Sequence, residues 1–132
     1  MSDLENLASA LSVLGRVTAG YPDLVAIGWA TVDAERAATE LPGIVFVAVE
    51  PETALGARAW LGRTGAVDLV LLEPSTEGRL AAALARRGEG LAVLYLAVEG
   101  LADATRMTAL GRPGRLLAHD KPWGPFIVVV GR

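Results

Sequence analysis

The chain contains no cysteine. That excludes disulfides, thiolate metal sites and a cysteine nucleophile. It has a single histidine, His119, so a site built from two or three histidines cannot form within one chain. No block of basic residues is present: 12 Lys and Arg stand against 15 Asp and Glu, for a net charge of -3. An electrostatic footprint for nucleic acid is therefore missing. No apolar run approaches the roughly 20 residues needed to cross a bilayer. The N-terminus is acidic and amphipathic, unlike a secretory leader. A cytoplasmic protein with no nucleic-acid or membrane partner is the expectation.

What is present describes a globular chain. At 132 residues, 52% hydrophobic and 20% charged, it suits one domain with a real core. Leu4, Leu7, Ala8, Leu11 and Leu14 repeat at helical spacing, which predicts an amphipathic helix within residues 1–20. "LVAIGWAT" (24–31) reads as a buried strand, and Asp33 as the cap of a short helix with Ala34, Ala37, Ala38 and Leu41 on one face. Strands are expected at "IVFVAVE" (44–50), "ARAWLGR" (57–63) and "GAVDLVLLEP" (65–74). Ser75 is the expected cap of a linking helix over 75–90, with Leu80, Ala83, Leu84 and Arg87 sharing a face. "LAVLYLAV" (91–98) is a further strand. Leu101, Ala104, Met107 and Leu110 mark a second short helix, followed by strands at "RLLA" (115–118) and "FIVVV" (126–130).

The two halves echo each other. "IGWATVDAERAATEL" is similar to "LYLAVEGLADATRMTAL": a strand ending in alanine, an acidic turn, then an alanine-rich stretch ending in leucine. Two like modules sharing one core follow from such a repeat. The boundaries are residues 23–74 for module one, 75–90 for the link and 91–131 for module two.

One stretch, "VDLVLLEPSTEGRLAAALARRGEGLAVLYLAVEGL" (67–101), resembles the join between modules in the vicinal oxygen chelate superfamily. That group includes glyoxalase I, methylmalonyl-CoA epimerase, extradiol dioxygenases and bleomycin-resistance proteins. "VAIGWATVDAERAATEL" and "GRLLAHDKPWGPFIVVV" look like the opening of module one and the late hairpin. The resemblance implies an α+β fold: two βαβββ-type modules, the second apparently truncated, form a cupped and mostly antiparallel sheet behind an N-terminal helix. It also implies a homodimer.

Many proteins of this type hold a divalent metal in the cup, on the first and last strands of each module. Carried onto this chain, those positions match Ala26, Val70 and Val93, and near Val128 if "FIVVV" is the final strand. If it is the third, the final strand is missing and a sheet edge lies open. Metal ligation needs nitrogen, oxygen or sulfur donors, and these side chains have none. No metal and no cofactor is expected.

Strand alternation places Gly28 beside Ala26, Asp68 beside Val70, and Tyr95 beside Val93 on the cup face. Such a floor suits a small hydrophobic or aromatic ligand, with Trp123 as a further wall. It suits equally a pocket filled by side chains. Tyr95 reads as a core tyrosine with a satisfied hydroxyl before it reads as a contact. Asp68 reads as solvated. His119, beside Asp120 and Lys121, is the candidate base and Tyr95 its companion if catalysis occurs. Trp29 is expected under a helix, Trp60 in the core or an interface, and Glu73 near the dipole of the linking helix. The reading is thus a glyoxalase- or bleomycin-resistance-like binding protein without the metal site. A metal-independent lyase, isomerase or epimerase, or a scaffold acting through protein contacts, are the alternatives.

Overall fold

The computed structural model describes residues 23–64, 67–75, 78–101, 106–117 and 125–131. The expected helix within 1–20, together with His119, Asp120, Lys121 and Trp123, lies outside them.

Eight strands form one cupped, nearly closed sheet: β1 (Leu24–Ala30), β2 (Phe46–Glu52), β3 (Ala57–Gly62), β4 (Asp68–Pro74), β5 (Gly90–Val98), β6 (Arg106–Met107), β7 (Pro113–Leu117) and β8 (Phe126–Gly131). Among the described residues two helices complete it, α1 (Ala34–Thr39) and α2 (Arg79–Arg87). The strand order is β2-β3-β4-β1-β5-β8-β7-β6. The first and last strands of each half pair in parallel, β1 with β4 and β5 with β8. The halves meet where β1 runs antiparallel to β5.

Side-chain alternation divides the sheet into two faces. The outer face carries Leu24, Ile27, Trp29, Leu69 and Leu71 against Ala34, Ala37 and Leu41 from α1 and the turn after it. Trp29 therefore packs under a helix, as expected. Asp33 caps α1, its Oδ1 accepting from the Arg36 amide at 3.1 Å. The inner face carries Ala26, Ala30, Val70, Leu72, Val93, Tyr95, Phe126, Val128 and Val130, with Leu80 and Ala83 of α2 in the same cluster.

Four sequence expectations change. "FIVVV" is the last strand, seated between β5 and β7, so it is not an open edge. Among the described residues, the outermost strands of the sheet are β2 and the two-residue β6. The second short helix gives way to β6 at Met107 and a turn at Leu110, residues 102–105 lying outside the described set. Local hydrogen bonds outcompete the helical pattern there. Thr108 Oγ1 donates to the Arg112 carbonyl at 2.8 Å and accepts from the Leu110 amide at 3.3 Å, while Gly111 takes a φ of +73°. Ser75 is not the cap of α2. Its amide donates to the Gly56 carbonyl at 2.8 Å, and the helix starts after Gly78, with the Leu80 amide bonded to the Leu55 carbonyl at 3.1 Å. Glu73 serves the other helix: its Oε1 accepts from the Ala34 amide of α1 at 3.1 Å, and its Oε2 from Arg58.

Candidate functional site

The positions implied to carry a metal converge where the two modules meet. Gly28 pairs with Val70 on one side and with Val93 on the other. Ala26 pairs with Asp68 and Tyr95, and Tyr95 with Val128. Ala26, Val70, Val93 and Tyr95 are all 0% exposed and Val128 is 1% exposed, so no water-sized space touches the first four. A methyl group built on Gly28 would lie 2.8 Å from Leu72 Cδ1 and 2.8 Å from Val93 Cβ. The centre of the floor is filled by its own side chains. Ala26, Val70, Val93 and Val128 do not fit a metal, since none of these four side chains offers a donor atom. Among the described residues, no group of three or more His, Cys, Asp or Glu could hold one.

Tyr95 is where the packed floor becomes polar. Its hydroxyl donates to Glu52 Oε1 at 2.7 Å, and the Ala109 amide donates to the same oxygen at 3.2 Å. Glu52 is 2% exposed. Burial raises its carboxyl above the ordinary value, against the lowering pull of its two donors. Burial, and then the Glu52 charge, push the Tyr95 hydroxyl well above its own ordinary value, so it stays neutral and donates. The couple joins the modules, with Glu52 from the end of β2, Tyr95 from β5 and Ala109 from the β6–β7 turn. Around it, Val49, Leu61, Leu110 and Leu116 are half-buried on the same inner cluster. Asp68 is half-buried at the start of β4.

Glu52 did not stand out in the sequence, and the reason is a bulge. Val49 pairs with Ala59, but Glu52 pairs with Ala57, so β2 carries one extra residue there. Simple alternation from inward Val49 turns Glu52 to the outer face, and the bulge returns it inward. The available signal was Pro51, which inside a strand marks an edge or a bulge.

The outer face carries a groove of about 450 Å³ lined in part by Phe46, Arg58, Trp60 and Glu73. Trp60 is half-buried there, with the Arg58 guanidinium 5.5 Å from its ring centroid. A second polar cluster lies at the end of the link. Glu89 accepts from Thr31 at 2.8 Å and pairs with Arg36 at 2.7 Å. Both features tie elements together on the side away from the cup floor.

Two parallel first-to-last strand pairs, joined at an antiparallel seam into one cup, form a fold that this chain shares with solved structures. Methylmalonyl-CoA epimerase from Mycobacterium tuberculosis matches with a TM-score of 0.70 at 21% identity, over 83% of this chain and 87% of that one. Hypothetical protein BH1468 from Bacillus halodurans C-125 matches with a TM-score of 0.67 at 20% identity, over 83% and 93%. A variant of the Streptomyces coelicolor epimerase, in complex with 2-nitronate-propionyl-CoA, gives 0.69 at 21% identity, over 83% and 96%. No protein-family model and no curated protein matches the chain.

Proposed function

We propose that this chain is a metal-independent binding protein on the glyoxalase fold, taking a small hydrophobic or aromatic molecule against the inner rim of the cup. The observation that carries the reading is the exchange of chemistry at the floor. Apolar side chains fill the positions a chelate would occupy, and the Glu52–Tyr95 couple is a polar feature beside them. Half-buried Val49, Leu61, Leu110 and Leu116 offer apolar surface at that level, and apolar lining with few polar groups is what small-molecule sites share. A divalent metal has no role in this reading.

The test is a pair of titrations on the full chain. Zinc, cobalt, manganese and magnesium should leave the melting temperature unchanged, whereas 1-anilinonaphthalene-8-sulfonate should bind saturably at one site per chain. Leu116→Asp should abolish probe binding while leaving the circular dichroism spectrum intact. Metal-dependent stabilisation, or probe binding indifferent to that change, overturns the reading.

A second reading has one specific observation behind it. A carboxyl raised by burial and set 2.7 Å from a tyrosine hydroxyl is the type of couple that performs general acid–base chemistry. A metal-independent isomerase or epimerase would use Glu52 as its base. Such an enzyme must lose turnover in Glu52→Gln, and turnover that survives this change removes the reading.

A further inference from the structure

We infer that the segment 1–20 docks on the outer face of module two, giving that half the helical cover that α1 gives module one. Side-chain alternation turns Leu94 and Leu96 of β5, Leu117 of β7, and Ile127 and Val129 of β8 to this face. Their registers agree: Leu94 pairs with Ile127, Leu96 with Val129, and Leu117 with Ile127. Four of the five are half-buried, and Val129 is only 7% exposed. Sheet neighbours can flank Val129, but a roof over it needs a further element. Of the described helices, α1 packs on the outer face of module one and α2 on the inner cluster. The exposure is that of a single chain, so the roof comes from this chain's own residues rather than from a second copy.

Position, length and chemistry select 1–20. Leu24, the first residue of β1, pairs with Leu96, and Leu96 pairs with Val129. The Ala97 amide donates to the Asp23 carbonyl at 2.8 Å, which pins the chain beside β5 just after the segment ends. The segment therefore reaches the sheet two strands from Val129, about 10 Å away. A helix over residues 3–15 would be about 20 Å long, and the six residues of β8 span about 20 Å as well. "RVTAGYP" (16–22) is left as the tether. Leu4, Leu7, Ala8, Leu11 and Leu14 form the apolar stripe that such a face takes, while Glu5, Asn6 and Ser9 fall on the opposite side.

The other stretches outside the described residues suit the face less. Residues 102–105 are too few to cross it. Residues 118–124 must first bridge β7 to β8, and they bring one large apolar side chain, Trp123.

The absence of cysteine provides the probe. In the full chain, Val129→Cys reports on the roof, and Leu71→Cys, at a site 0% exposed in the cluster beneath α1, is the control. Both thiols should react slowly with dithiobis-nitrobenzoate. Adding Leu7→Asp and Leu11→Asp should speed labelling of the Val129→Cys chain at least tenfold and leave that of the Leu71→Cys chain within twofold. Trp123→Ala should leave both rates unchanged, and the slow rates should persist over a hundredfold dilution. Labelling of Val129→Cys that ignores the two aspartates, that rises only with Trp123→Ala, or that rises on dilution overturns the inference. So does an equal rise in the Leu71→Cys chain, because the segment would then support the whole fold rather than roof one face. None of these readouts involves the cup, so they stand apart from the binding titrations.

Discussion

Module one and module two follow the same strand plan on either side of the β1–β5 seam, yet they contribute differently to the interior. Module one has a capped helix, α1, that covers Trp29, Leu69 and Leu71 on its outer face. In module two only residues 99–105 join β5 to β6, and the described part of that segment forms no helix. Toward the cup, module one supplies a carboxylate through the β2 bulge, and module two supplies a hydroxyl and a backbone amide. The polar couple is thus made between modules, while the apolar floor is made by both in equal measure. The comparison teaches that the buried Glu52–Tyr95 couple belongs to the contact between the halves rather than to either half alone.

The strongest way to break the comparison is Tyr95→Ala. It removes a fully buried ring from module two and strips the hydroxyl donor from Glu52 in module one. A loss of about 3–5 kcal/mol is expected from the cavity alone, read as the shift in urea unfolding. Tyr95→Phe keeps the ring and should cost about 1–3 kcal/mol, the penalty for leaving one buried partner short of a hydrogen bond.

Gly28→Ala probes the packed floor directly. The new methyl meets Leu72 and Val93 at 2.8 Å, so overpacking of about 1–3 kcal/mol is expected in the same assay. A neutral result would mean that the floor has slack and that the cup is less filled than its exposure values say.

Glu52→Gln sharpens the comparison through pH. Burial raises the folded-state value of this carboxyl above its unfolded one, so the fold favours the protonated form. The stability linked to it is complete below the unfolded value, about 4.3 for glutamate, and is lost as pH rises through the raised folded value. The amide keeps the Oε1 acceptor and never ionises. Glu52→Gln should therefore match the unaltered chain near pH 4 and become the more stable of the two as pH rises. Thermal melts across pH 4 to 9 would detect it, and parallel profiles for the two chains would refute it.

The smallest expected effect confines itself to one module. Asp33→Ala removes the α1 cap and should cost about 1 kcal/mol. Hydrogen exchange should quicken in α1, while amides of β5, β7 and β8 keep their protection. Faster exchange in module two as well would show that the halves do not hold together independently.

Much of the fold was legible because its strands are buried on one or both faces. "LVAIGWA", "DLVLLEP" and "GLAVLYLAV" are nearly continuous apolar runs bounded by turn residues, and they form β1, β4 and β5. The helix through 101–110 misled, because four apolar residues at helical spacing outweighed the turn chemistry of Thr108 and Gly111. Tyr95 was readable as a core tyrosine with a partner, but the partner was not. Glu52 lies 43 residues away and on the wrong parity until the bulge is seen.

Local periodicity and composition by themselves determined two strand-rich halves with alanine and valine side chains at Ala26, Val70 and Val93. Side-chain type and alternation are local properties, and the side chain of alanine or valine carries no donor atom in any fold. Only the tertiary structure decided that "FIVVV" closes the second module, that β2 is an outermost strand among the described residues, and that Glu52 turns inward to meet Tyr95. Those outcomes depend on strand order, register and one inserted residue, and each is settled by pairing energies between segments far apart in the chain.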